Sequence, residues 1–205
     1  MLEYALIGAA ALLALAFRPW STLGAPALRN AWIAAAILLA CLWAAQQVAL
    51  PANVPLVLSG ACLLVLMFGW PVAVLTLVAI GAASAMLTGI DGHRAVALVA
   101  WNGIVPASAG LGVGLATRRW LPRHLFVYIL ARGFAGTALA MTASAVLAAW
   151  WTPLPPGGDP VVVLTAGWLS AWGEAFATGA LTAIFVAFRP DWLATYSDAR
   201  YLPAP

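Results

Sequence analysis

Lysine is absent from this sequence, and charged residues of every kind fill only 7% of its 205 positions. A soluble domain carries roughly 25% charged residues. A surface this poor in charge cannot be wetted, and lipid is the solvent that suits it. The basic residues number nine, all arginine, which is too little positive charge for a nucleic-acid surface. Histidine and cysteine are equally sparse, with two of each. No CxxC or Cys/His metal spacing occurs, and Cys41 and Cys62 fall inside apolar runs. There is no P-loop, no HExxH and no GxSxG, and no nucleophile–base pair presents itself. An enzyme is therefore not expected, and a transporter driven by ATP would need its ATPase on another chain. No polar stretch of ~50 residues remains for a separate soluble domain, so residues 1–205 read as a single integral membrane domain.

Apolar length is abundant. Hydrophobic residues make up 65% of the chain, and mean hydropathy is +1.01. A membrane crossing needs about 20 mostly apolar residues. Seven runs qualify, at about Leu2–Phe17, Ala31–Leu50, Val54–Phe68, Pro71–Leu87, Ala95–Ala116, Leu125–Trp150 and Val161–Phe188. The first run has Glu3 where a signal peptide would carry Arg or Lys, so it reads as a short helix. Asn30 is placed to cap the second run and Pro51 to stop it. Gly69-Trp70-Pro71 predicts a tight turn, and the proline-rich loop from Thr152 to Pro160 allows no helix to persist. The runs are continuous rather than alternating, which predicts helices and not barrel strands.

The arginines set the expected orientation. With the N-terminus outside, the inner loops carry Arg18, Arg29, Arg118, Arg119, Arg123, Arg189 and Arg200, and the outer loops only Arg94. The positive-inside rule thus predicts an all-α bundle of about seven transmembrane helices, N-out and C-in. Tryptophans 20, 70, 120, 150, 151 and 192 fall at the ends of runs, as an interfacial belt requires.

A charge at the bilayer centre costs about 2.5–3.5 kcal/mol on insertion scales, and two charges are placed at depth. Arg132 lies ~14 Å from the inner end of its run, and Glu174 ~20 Å from either end of its own. Two readings follow. They form an intramembrane ion pair between neighbouring helices, or Glu174 faces a substrate cavity. Asn102 is the third costly group. It stands in Trp101-Asn102-Gly103-Ile104-Val105-Pro106, where Pro106 frees the carbonyl of Asn102. A broken helix with a polar side chain at depth is tolerated where it lines a cavity. Asn102, at ~10–12 Å, and Glu174 could share one. Asp91 and His93, in the loop before the fifth run, are a candidate metal-capture pair at its entrance. Cys41, Cys62 and Met141 lie at similar depth, where soft ligands could pass Cu(I). They serve equally as apolar filler. Small residues at Gly110/Gly114 and Ala175/Gly179 predict close helix packing.

The second half of the chain carries three short motifs. One is Asn102 with the Gly/Pro break. The second is Arg119-x-Leu121-Pro122-x-His124-Leu125-Phe126-Val127-Tyr128. The third is Glu174-Ala175-Phe176-x-Thr178-Gly179-x-Leu181-Thr182 with Arg189-Pro190-x-Trp192 and Asp198-x-Arg200-Tyr201-Leu202. Over roughly residues 100–202 the chain resembles the CbiM/NikM-like membrane proteins, the substrate-binding components of energy-coupling-factor transporters for cobalt and nickel. The resemblance implies a seven-helix bundle with an external N-terminus in the bacterial inner membrane. It implies a divalent metal bound as substrate rather than as cofactor, and cytosolic ATPases reached through a coupling membrane subunit. It also implies a metal site built around a histidine at position 2, where this chain has Leu2 followed by Glu3. The second class of function left open is an accessory or assembly membrane protein that translocates nothing.

Overall fold

In a computed structural model of the chain, the structure describes residues 1–49, 58–154 and 158–201. Besides short 3-10 turns at Pro19–Gly24 and Pro190–Trp192, eight helices form there: α1 Leu2–Ala16, α2 Pro26–Ala49, α3 Ala61–Phe68, α4 Trp70–Thr88, α5 Gly92–Trp120, α6 Val127–Trp151, α7 Pro160–Phe188 and α8 Asp198–Tyr201. No strand occurs among the described residues. Helices α2, α4, α5, α6 and α7 are long and apolar enough to cross a membrane, the pattern of a multi-pass membrane protein. Large apolar side chains such as Leu12, Leu38, Leu139, Phe176 and Phe188 point outward, as lipid-facing positions do. Trp120 and Trp150, at the ends of α5 and α6, are 76% and 77% exposed.

Most helix limits have a local cause. Pro26 stands in the first turn of α2, where a missing N–H costs nothing. That helix therefore begins before the expected Asn30 cap, which lies inside it. Asp91 caps α5 by accepting from the backbone N–H groups of His93 and Arg94. Asp159 caps α7 through the N–H of Val161, ahead of Pro160. Pro51, the start of the run from Val54, Pro155-Pro156-Gly157 and Leu202 lie outside the described residues.

Two further sequence expectations need correction. The run ending at Phe68 is not helical throughout. Leu58, Ser59 and Gly60 are non-helical, and α3 has only 8 residues, ~12 Å of helix against a hydrocarbon core of ~30 Å. The second concerns Trp101–Pro106, which does not interrupt α5. The helix widens to a π turn over Val99–Ile104, which absorbs the proline and leaves carbonyls free for other partners.

Helices α6 and α7 pack antiparallel, and glycines set their register. A Cβ at Gly133 would stand 3.1 Å from Thr182 Oγ1, one at Gly179 3.1 Å from Phe134 Cβ, and one at Gly167 2.9 Å from Ala145 Cβ. The two ends of the bundle differ. Phe17, Trp70, Arg118 and residues 194–197 surround one cavity. Arg94, Thr152 and Val163 surround another.

Candidate substrate site at a broken helix

Non-helical backbone at membrane depth must have every polar group satisfied by protein, and around α3 this is done by side chains. Gln46 brackets Leu58: its Oε1 accepts from the Leu58 N–H at 2.7 Å, and its Nε2 donates to the Leu58 carbonyl at 3.1 Å. The Trp43 indole donates to the Ser59 carbonyl at 3.0 Å. The Glu174 carboxylate accepts from the N–H groups of Ser59, at 2.7 Å, and Gly60, at 2.6 Å. The Gly60 carbonyl receives the N–H of Leu64 and begins the helix. Glu174 therefore closes the N-terminus of a half-helix from the middle of α7. The positive end of the α3 dipole adds to its stabilisation.

The far end of α3 is held in the same way. Its Met67 carbonyl accepts from the N–H of Ala194 at 2.8 Å, and its Leu66 carbonyl from Thr195 Oγ1 at 2.7 Å. Tyr128 in turn hydrogen-bonds the Thr195 hydroxyl at 2.8 Å. The tail after α7 thus completes the half-helix.

The π turn of α5 lies against this break. The Ser59 hydroxyl donates to the Asn102 carbonyl, the Ser144 hydroxyl to the Trp101 carbonyl, and the Cys62 thiol faces the Pro106 carbonyl at 3.7 Å. The carbonyl that Pro106 frees is therefore used, by a hydroxyl in the non-helical stretch just before α3. Ser59 ties Glu174 to Asn102: its N–H serves one and its hydroxyl the other.

The two residues nonetheless face different spaces. Asn102 lines a cavity of about 260 Å³ with Trp101, Met141 and Ser144, and Arg94 also lines it. Glu174, 3% exposed, borders an apolar groove of about 340 Å³ between α2, α3 and α7. These two cavities are separate, whereas the sequence reading has the two residues share one.

The expected Arg132–Glu174 ion pair is not formed. The register of α6 on α7 places Arg132 level with Thr182, about two turns from Glu174, or ~12 Å along the axis. Arg132 donates instead to Tyr201 Oη at 3.1 Å and lies over the Tyr128 ring at 5.2 Å. Gly114 opposite leaves room for the guanidinium, since a Cβ there would stand 3.0 Å from Nη2.

The Asp91/His93 pair does not assemble into a ligand set. The Asp91 carboxylate is engaged in capping α5, and His93 is exposed. Cys41 is exposed while Cys62 is buried, so the two thiols do not share one environment. Among the described residues no group of three His, Cys, Asp or Glu is placed to hold a metal. Trp43, Gln46, Ser59, Gly60 and Ser144 belong to the site and were missed in the sequence. The Ser59-Gly60 dipeptide inside an apolar run is the signal that could have found the break. No protein-family model matches the chain, nor does any curated protein or solved structure.

Proposed function

We propose that this chain is the membrane-embedded, substrate-binding component of a multi-subunit transporter of the energy-coupling-factor kind, in a bacterial inner membrane. A transition-metal ion of the cobalt or nickel type is its substrate. Its partners are cytosolic ATPases acting through a coupling membrane subunit. The observation that carries this reading is the break at Leu58–Gly60, held by Glu174 and joined through Ser59 to the π turn of Asn102. Irregular backbone at membrane depth is costly and is tolerated where it is buried in protein or lines a water-filled cavity. The resemblance of residues 100–202 supplies the substrate class.

The substrate cavity in this reading is the one lined by Asn102, Ser144 and Met141. These offer few ligands, so an ion held there keeps part of its own shell. Arg94 on the same cavity repels a bare dication and favours an ion arriving as a neutral or anionic complex. Cobalt(II) and nickel(II) binding to the protein in nanodiscs, measured with and without a small chelating carrier, tests this. Asn102→Leu is expected to weaken binding on the order of tenfold or more. Unchanged affinity in folded Asn102→Leu protein overturns the site.

The topology proposed with it is seven crossings, N-out and C-in, with α1 and the segment ending in α3 as the two that are not full-length helices. Reporter fusions at Asp159 are expected to read as periplasmic, and those at Arg119 and Tyr201 as cytoplasmic. A cytoplasmic signal at Asp159 removes this orientation.

One observation favours the accessory reading instead. Glu174, Asp91 and Asp159 each serve a helix N-terminus, and Glu3 faces the terminal amine at 3.5 Å. Acidic groups spent in this way hold structure rather than cargo. Absence of any metal binding by the wild-type protein, with its fold intact, would favour that reading.

A further inference from the structure

Three arginines converge at the end of the bundle opposite the Asn102 cavity. Arg118 from the last turn of α5, Arg123 from the following turn and Arg132 from α6 line one cavity of about 190 Å³, with Thr117 and Tyr201. Among the described residues the ion pairs are Met1–Glu3 and Arg189–Asp191, so none of these three has a carboxylate partner there. Arg132 is the most demanding. Its Nη1 donates to Tyr201 Oη, but its Nε is buried without a hydrogen-bond partner. Burial and the Asp198 carboxylate push the nearby Tyr196 phenol up to about 12, so it stays neutral at physiological pH. Three guanidinium groups around a small cavity, one with a buried unsatisfied donor, suit an anion.

The geometry points to a phosphate group, and we propose that this cavity is a phosphate-binding site, for a phospholipid headgroup or for soluble phosphate. Guanidinium groups bind phosphate bidentately through paired N–H donors. The Tyr201 hydroxyl, whose oxygen accepts from Arg132, keeps its own proton to donate into the cavity. Trp120 and Phe126, 76% and 62% exposed, flank the segment that carries Arg123 with apolar surface suited to acyl chains. This inference does not rest on the transport reading or on the orientation of the chain.

The test uses the full chain in dodecyl maltoside. Bound phosphatidylglycerol is counted by native mass spectrometry, and thermal stability is followed with added phosphatidylglycerol or inorganic phosphate. Wild-type protein is expected to retain the lipid and to melt at higher temperature with it. Arg123→Gln and Arg118→Gln, at exposed positions that do not threaten the fold, are each expected to weaken retention about tenfold, one charge-assisted contact's worth. Arg119→Gln, which changes the same net charge outside the cavity, is expected to retain it. Stabilisation by the lipid alone identifies a headgroup site, and stabilisation by inorganic phosphate as well identifies a site for the free anion. Lipid and phosphate effects that persist undiminished in the Arg118→Gln/Arg123→Gln double variant, or that are absent from the wild type, overturn the proposal.

Discussion

Glu174→Leu is expected to yield little folded protein, and Glu174→Gln to melt at markedly lower temperature. Leucine leaves the N–H groups of Ser59 and Gly60, now at 2.7 and 2.6 Å from the carboxylate, buried with no acceptor. Each such group costs about 1–3 kcal/mol, and more where a charged partner is lost. Glutamine keeps one acceptor but turns an NH₂ donor toward the second N–H, so about 3 kcal/mol or more is expected to be lost. For a chain of this size that is a fall of roughly 6–12 °C in detergent. Because Arg132 is ~12 Å away along the helix axis, Arg132→Met is expected to give no rescue. The two losses should add. A double variant as stable as Arg132→Met alone would mean that the charges interact after all.

Gly60→Ala is expected to destabilise the protein by about 2–5 kcal/mol. Gly60 has φ +72°, a left-handed conformation that costs an L-residue about 1–2 kcal/mol. The new Cβ would also stand 2.6 Å from Leu39 Cδ2 and 2.8 Å from Leu39 Cδ1. Leu39 is 9% exposed, and moving it strains the wall of the groove by a further ~1–3 kcal/mol. Any shift at residue 60 moves its N–H off Glu174. Gly89, with φ +65° and nothing within 4 Å of a Cβ, supplies the control. Gly89→Ala should show the backbone cost alone. Equal thermal shifts in the two variants would show that Leu39 yields freely and that the break is not tightly held.

Both predictions concern residues that sequence reasoning handled unequally. Glu174 stood out at once, because a carboxylate midway along an apolar run cannot be incidental. Its partners did not, because they are backbone N–H groups and every residue but proline carries one. Arg132 is the only cation at comparable depth in the sequence, yet charge alone says nothing of register. Asn102 was legible in the same way as Glu174, and the freed carbonyl beside it followed from Pro106. Its acceptance of the Ser59 hydroxyl did not follow, since Ser59 lies 43 positions earlier. Asp91 looked like a ligand and is a helix cap. Asp-x-x before an apolar run fits either, and only the α5 backbone distinguishes them.

What the sequence determined by itself is the solvent and the secondary structure. A chain with 7% charged residues and long continuous apolar runs has to close its backbone hydrogen bonds within helices. The helix limits at Asp91, Asp159, Gly69 and Gly89 are local, set by side chains and glycines within a few residues. What only the tertiary structure decided is where that rule is broken. Leu58–Gly60 can leave the helix because Gln46, Trp43 and Glu174, from two other helices, supply the donors and acceptors that water would supply elsewhere. The register of α6 on α7, fixed by glycines at 133, 167 and 179, then decides that Glu174 serves this break while Arg132 is left about two turns away, out of its reach. Both outcomes depend on which groups meet across helices, and an apolar pattern that reads the same on every face carries no record of it.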